Sequence, residues 1–500
     1  MKQFILSIDQ GTTSSRVVIY DKNFSVIDSL QKELNQFFPK DGWVEQCAIE
    51  IWDDVKELIK NILKKNDIKT SQIISIGISN QRETSVLWDK NTGIPVYNAI
   101  VWQDRRTVDI CNDLQERKLD KKIQEITGLV IDPYFSATKI KWILDNNLEA
   151  RRLVKEKNLL FGTIDTWLLW NLTEGASHLT DITNASRTML YDLKKEEWSL
   201  DLLKFLDIPK EILPNVVGNT FNFGYTKLFG GSVSIRGMAG DQQSSAIGQT
   251  CFDKSETKST YGTGCFLLMN IGEKFQLSKN KLLTSVAYKI NNKKMYCFEG
   301  SIFVAGSAIQ WLRDKLFFFE DSKETELLYS KANINGNILI VPALTGLGAP
   351  YWQPNVRGTI FGLTRDTSIA DVVKATLDSL CYQTFDLIES MEKDSNLKIS
   401  EIKIDGGMAD NKEFAQNLSN VLQFKIIKSG NVEASALGAA YLAYLGSGAI
   451  KNIDSIKNLK NNKVSENNFI NYHPKINKSL VEKKIANWKK AISSVINFYN

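Results

Sequence analysis

Histidine is nearly missing from this 500-residue chain: only His178 and His473 occur, in no metal-ligand or nucleophile-activating spacing. That excludes histidine-based metal or triad chemistry, so a proton acceptor is expected to be a carboxylate. The six cysteines lie far apart, without the pairing of a zinc site or a small disulfide scaffold, and read as reduced packing residues. Dense basic blocks are lacking too. The 62 Lys and Arg against 57 Asp and Glu are spread along the chain to a net charge of +5, which argues against a nucleic-acid partner. No apolar run is long. The amino terminus meets Asp9 after a short apolar stretch, so it reads as a buried strand and not a signal peptide. The weakly polar run Ala434–Ile450 is broken by Ser435, Gly438, Tyr441, Tyr444 and Gly446, and is too short to span a bilayer. A soluble, non-exported protein without stable membrane insertion is the expectation.

What is present fits an α/β protein of two large domains around a cleft, since 500 residues exceed what one core serves. The first half opens with a strand at Phe4–Ile8, a polar glycine turn at Asp9–Ser15, a strand at Arg16–Tyr20 and a third near Val26. A helix over Ala48–Lys64, with Ile51, Val55, Leu58, Ile59 and Ile62 on one face, and a strand over Ile73–Ile78 follow. The second half repeats this opening: a strand at Lys258–Thr260, a turn at Tyr261–Gly264 and a strand at Cys265–Asn270. Helices are predicted at Gly306–Leu316, Asp371–Lys393, Asn411–Leu422 and Leu480–Phe498, and a strand at Ile402–Asp405. The Lys/Asn-rich stretch from Lys451 to Asn467 reads as a surface segment. Two related domains, 1–247 and 248–500, are implied.

Chemistry concentrates in the turns. The run Asp9-Gln10-Gly11-Thr12-Thr13-Ser14-Ser15-Arg16 sets a carboxylate at a strand end, then glycine and four hydroxyls, then a guanidinium. Bare amides and hydroxyls suit phosphate oxygens, arginine offsets their charge, and Asp9 suits hydrated Mg²⁺. It is not a Walker loop, and alone it is equally a polar hairpin turn. Gly262-Thr263-Gly264 and Asp405-Gly406-Gly407 are two further glycine turns at strand ends, each readable as a tight turn or as half of a nucleotide clamp. Between them lie Asn80–Thr84, Val101–Arg106 and Gly240–Gln243. Arg82, Glu83, Asp241 and Gln242 offer the donors and acceptors that a small polyol needs, and Trp102 or Phe266 an apolar wall for its carbons. Surface salt bridges and a core tryptophan are the plainer alternative.

The segments IDQGTTSSR, NQRET, YNAIVWQDRRT, GLVIDPYFSATKIKWIL, TDITNASRTML, AGDQQSSAIGQ, STYGTGCFLLMN and TGLGAPYW resemble the glycerol kinases of the FGGY carbohydrate kinase family. The resemblance runs from about Ile5 to about Leu445. It implies two ribonuclease-H-like domains of the actin, sugar kinase and Hsp70 ATPase type around a nucleotide cleft, and a cytoplasmic, Mg²⁺-dependent transfer of phosphoryl from ATP to glycerol by a homo-oligomer, a dimer or tetramer. By the same resemblance Asp241 is the general base. Arg82, Glu83, Tyr134, Asp241 and Gln242 hold glycerol hydroxyls, with Trp102 and Phe266 against its carbons. Thr12, Thr13, Ser14, Arg16, Thr263, Gly306, Gln310, Gly407 and Asn411 contact ATP or ADP, and Asp9 positions Mg²⁺ through water. A kinase of the same family for a ketose or longer polyol, and a nucleotide-binding regulator or chaperone-like ATPase that phosphorylates nothing, are the competing readings. Where some relatives carry an arginine for fructose bisphosphate, the loop Phe229–Arg236 has Ser232, and Asn219–Gly240 holds no histidine for phosphorylation. Both controls are therefore expected to be absent.

Overall fold

The computed structural model describes residues 2–333, 336–430, 433–457 and 469–499. The first sheet has six strands: β1 (Phe4–Gln10), β2 (Ser14–Asp21), β3 (Val26–Glu33), β4 (Ile73–Asn80), β5 (Thr220–Thr226) and β6 (Val233–Gly240), in the order β5-β6-β4-β1-β2-β3. β1, β2 and β3 form an antiparallel meander, β4 and β6 join parallel to β1, and β5 closes the far side antiparallel. The second sheet has seven: β7 (Thr257–Tyr261), β8 (Cys265–Gly272), β9 (Leu283–Ile290), β10 (Lys293–Ile302), β11 (Glu401–Asp405), β12 (Lys425–Ser429) and β13 (Phe469–Tyr472). Its order, β9-β10-β8-β7-β11-β12-β13, repeats the scheme of an antiparallel meander, two parallel strands and one antiparallel strand, with β9 added. The expected duplication is present as topology.

The principal helices are α1 (Ala48–Lys65), α2 (Ser136–Asn146), α3 (Ile164–Leu172), α4 (Asp241–Gly248), α5 (Gly306–Asp314), α6 (Ile369–Ser395), α7 (Lys412–Leu422), α8 (Ala434–Gly446) and α9 (Lys478–Tyr499). Ile51, Val55, Leu58, Ile59 and Ile62 of α1 are buried, as their 3.6-residue spacing predicts. In α9 the spacing likewise buries Val481, Ile485, Trp488 and Ile492. Ser368 caps α6 in a reciprocal box with Asp371, so the helix starts before the expected Asp371. Residues 458–467 of the Lys/Asn-rich stretch lie outside the described residues.

Both faces of the first sheet are covered. On β1, Phe4, Leu6 and Ile8 face the core shared with α1 and α3, while Ile5 faces α8, as strand alternation requires. Ser7, also buried, donates its hydroxyl to the carbonyl of Ala436 in α8 at 2.7 Å, and Ser75 of β4 does the same to Ala443 at 2.8 Å. Helix α8 comes from the second half of the chain yet lies on the first sheet, and the approach is set by glycines. A Cβ on Gly77 would sit 2.1 Å from the Ala439 carbonyl oxygen, and one on Gly237 2.3 Å from the Ala443 nitrogen. Gly77→Ala is therefore expected to lower the unfolding free energy by about 3 kcal/mol through overpacking. Urea denaturation of the variant tests this, and an unchanged midpoint would contradict the close approach.

Candidate active site

Register in the first sheet brings three strand ends to one edge: Gln10 of β1 pairs with Asn80 of β4, and Asn80 with Gly240 of β6. Asp9, the Arg82-Glu83 pair and Asp241 leave the sheet there. Asp241 is the first residue of α4, where the helix dipole favours a carboxylate. It accepts from the Gln242 amide at 2.7 Å and from Gln242 Nε2 at 3.1 Å, and Arg82 Nε lies 3.2 Å away. The backbone just before it is anchored: the Gly240 amide donates to Thr183 Oγ1 at 3.0 Å, and the Thr183 hydroxyl is bonded to buried Asp181. Burial first, and Asp165 second, push the Asp181 carboxyl up to about 7.

Arg82 is only 2% exposed. Its Nη1 donates to Glu299 Oε2 at 2.7 Å and to Gln243 Oε1 at 3.1 Å. Arg187 Nε donates to Glu83 Oε1 at 2.6 Å, and its Nη1 lies 3.4 Å from Glu299 Oε1. Charges alternate along Asp241, Arg82, Glu299, Arg187 and Glu83. Burial works against the charge of the four buried members, Arg82, Glu299, Arg187 and Glu83. At Glu299 the two guanidiniums outweigh burial and hold the carboxyl at about 2, whereas at Glu83 burial wins and the pKa rises. At Arg82 burial is overcome by Glu299 and Glu83, which lift it above the ordinary arginine value. Glu299 stands on β10 of the second sheet, so the network joins the two halves. Glu83 adopts φ +60°, held there by the hydroxyls of Ser85 and Ser136, which donate to its carbonyl at 3.0 and 2.9 Å. Non-glycine residues in this region store backbone strain and cluster at functional sites.

Beside this network an aromatic wall forms. The Trp102 ring lies 5.5 Å from Tyr134 and 5.6 Å from Phe266, and its Nε1 donates to Thr12 Oγ1 at 2.8 Å. The wall is thus tied to the first turn. There Thr13 is exposed, Thr12 and Ser14 are half-buried, and Arg16 stands opposite Asp9 across the β1–β2 ladder, with its guanidinium bonded to Gln31 and Glu433. Burial raises the Asp9 carboxyl to about 6; Ser79 and Arg16 pull it down, and Asp241 and Asp405 push it up again.

On the facing side, Thr260 of β7 pairs with Asp405 of β11, which sets the Gly262–Gly264 and Gly406–Gly407 turns side by side. Space here belongs to backbone. A Cβ on Gly306 would meet the Gly262 carbonyl oxygen at 2.6 Å, and one on Gly406, at φ +88°, the Tyr261 carbonyl oxygen at 2.5 Å. Thr263, Gly407 and Gln310 are exposed around this bare wall. Two expected contact residues already have other partners. Asn411 caps α7, accepting from the Phe414 amide at 2.9 Å and donating to Thr325 Oγ1 at 3.1 Å. Gln242 is turned toward Asp241 and the ammonium of Lys258.

Arg187, Glu299 and Lys258 were not singled out from the sequence. Glu299 did carry a signal, as the one charge inside the apolar run Met295–Ile302. The loop with Ser232 lines a hollow of about 800 Å³ opposite Lys60, Lys64 and Lys69. The loop itself is poor in cations; the hollow it lines is not.

The chain matches the FGGY family of carbohydrate kinases, its N-terminal domain over residues 4–248 and its C-terminal domain over 257–447. It is 50% identical over 494 residues to a glycerol kinase of Streptococcus uberis, covering 98% of each chain. A glycerol kinase of Streptococcus pneumoniae is 49% identical over 496 residues, with 99% of this chain and 98% of the relative covered. Among solved structures, Plasmodium falciparum glycerol kinase with ADP superimposes with a TM-score of 0.91 at 36% identity, over 99% of this chain and 98% of that one. A ligand-bound xylulose kinase of Lactobacillus acidophilus, with a TM-score of 0.84 at 23% identity, over 99% of this chain and 97% of that one, shares the fold. Among the described residues, no helix is long and apolar enough to cross a membrane.

Proposed function

The chain belongs to the FGGY family of carbohydrate kinases, and from that membership we propose that it moves the terminal phosphoryl group of ATP onto glycerol, giving sn-glycerol 3-phosphate and ADP. The observation that carries this reading is the compact acceptor site, where a carboxylate 3.2 Å from a buried guanidinium lies beside the wall of Trp102, Tyr134 and Phe266. A three-carbon polyol has hydroxyls for the charged side and a short carbon backbone for the aromatic side.

In this reading Arg82, Glu83, Tyr134 and Gln242 hold glycerol hydroxyls, and Asp241 orients the reacting one. An alcohol is a weak acid, so the proton moves to Asp241 late, as the bond to phosphorus forms. Thr12, Thr13, Ser14 and Arg16 donate to phosphate oxygens from one side. The backbone around Thr263, Gly306 and Gly407, with Gln310 and Asn411 beside it, receives the nucleotide from the other. Asn411 serves through its main chain or after releasing Thr325. Bound Mg²⁺ supplies neutralisation of phosphate charge. Asp9 fits it, because Asp241 and Asp405 add to a negative field that a dication relieves, and no three acidic, His or Cys side chains among the described residues cluster for direct chelation, which suits a hydrated ion. Use of ATP is compatible with a cytoplasmic enzyme, which is the location we propose, and we expect a homo-oligomer.

A coupled assay of ADP release tests the function. Release with glycerol, and only background with xylulose or with no acceptor, is expected. Equal rates with xylulose would make the chain a ketose kinase, and equal rates without acceptor would make it an ATPase.

A further inference from the structure

Lys139 is fully buried, and its placement is costly twice over. It stands in the first turn of α2, where the helix dipole disfavours a cation, and burial lowers its pKa to about 8. Its hydrogen bonds go to no carboxylate. Nζ donates to the carbonyls of Pro133, Tyr134 and Phe135 at 2.7, 2.6 and 3.2 Å, which uses all three ammonium hydrogens on three consecutive residues. The titratable groups that face it are Glu83, Asp104, Asp132 and Cys111. Each carboxylate among them has an arginine of its own: Glu83 has Arg187 at 2.6 Å, Asp104 has Arg106 at 2.7 Å and Asp132 has Arg105 at 2.7 Å. A surplus cation is thus kept in the interior to gather one loop.

That loop presents Tyr134. The residue is 3% exposed, and its ring packs tilted by 59° against Trp102 and lies 5.2 Å from the Arg187 guanidinium, which holds Glu83. Ser136, at the start of the same helix, fixes the strained Glu83 backbone. We propose that Lys139 is a positioning residue of the acceptor site, its ammonium gathering the 133–135 carbonyls so that Tyr134 and Glu83 meet the polyol in a fixed geometry. The proposal rests on the glycerol reading. Its consequence is selective, because the three carbonyls that Lys139 gathers all belong to the acceptor-side loop, and that loop reaches the phosphate turn only through Trp102.

Protonation matters as well. Below pH 8 the ammonium donates three times. As pH rises through 8 the neutral amine keeps two hydrogens, one carbonyl is released, and glycerol KM should climb while ATP KM stays level. Burial pushes the Cys111 thiol up to about 12 and also raises the Glu83 carboxyl, so it is the flat profile expected of a variant lacking the ammonium that assigns the climb to Lys139.

The experiment compares wild type with Lys139→Met, measuring glycerol KM and ATP KM from pH 6.5 to 9.5 alongside Tm. Wild-type turnover on glycerol tests the function itself. We expect glycerol KM at least tenfold higher in the variant at pH 7 and flat with pH, ATP KM within twofold, and a wild-type glycerol KM that climbs above pH 8. A folded variant with unchanged glycerol KM, or one in which both KM values shift alike, overturns the proposal. If Lys139→Met does not fold, the wild-type pH profile decides, and a flat profile overturns it.

Discussion

Asp241→Asn should lower kcat on glycerol by about 10²- to 10⁴-fold, the range that a positioned proton acceptor contributes. The amide keeps a hydrogen-bonding oxygen at the start of α4 but cannot take the hydroxyl proton. With that oxygen at the Oδ1 position, used by the Gln242 amide and Arg82 Nε, its NH₂ falls at the Oδ2 position, where Gln242 Nε2 needs an acceptor. The fold should survive, because the side chain is partly exposed and the Gly240 amide remains bound to Thr183. ADP binding and Tm measured beside kcat separate chemistry from folding. Near-native turnover in a folded sample would remove Asp241 from the base role.

Arg82→Ala is expected to act on both affinity and stability. The guanidinium contacts Asp241, Glu299 and Gln243, and nothing else in the network replaces it. Glu299 would keep Arg187 at 3.4 Å and the Gln243 side-chain amide at 3.2 Å, a buried carboxylate that has lost one of its two guanidiniums. Breaking such a buried network costs about 3–5 kcal/mol. Loss of the hydroxyl donor should raise glycerol KM by roughly 100-fold, since a hydrogen bond to a charged group is worth about 1.5–3 kcal/mol. Steady-state kinetics with a parallel thermal melt check both. A variant with wild-type glycerol saturation would show that Arg82 supports the lobes without touching substrate.

The parts of this molecule written in local chemistry were legible in the sequence. The three glycine turns announce themselves by composition, and α1 and α9 by periodicity. Helix α8 was legible only as an apolar run too short for a membrane. It is buried by a sheet on one side and α4 on the other, so it has no polar stripe from which a period can be read. The alternating charge network was equally hidden. Arg82 meets Glu299 across 217 residues and Arg187 meets Glu83 across 104, and no spacing rule encodes such pairs. Lys139 lay inside a motif that marks the family, but its three carbonyl partners exist only once the 133–135 loop has turned back over the helix.

The position of α8 also sets an order of events during synthesis. All six strands of the first sheet have been made by Gly240, yet the face that carries Ile5, Ser7, Gly77 and Gly237 stays uncovered until Ala434–Gly446 has been translated. At about 5–20 residues per second, that interval is on the order of ten to forty seconds. For that time a glycine-lined, apolar groove is open to water, to chaperones and to other nascent chains. A release-arrested chain ending at residue 430 should therefore present its first sheet to a holdase, and one extended past residue 450, clear of the exit tunnel, should not.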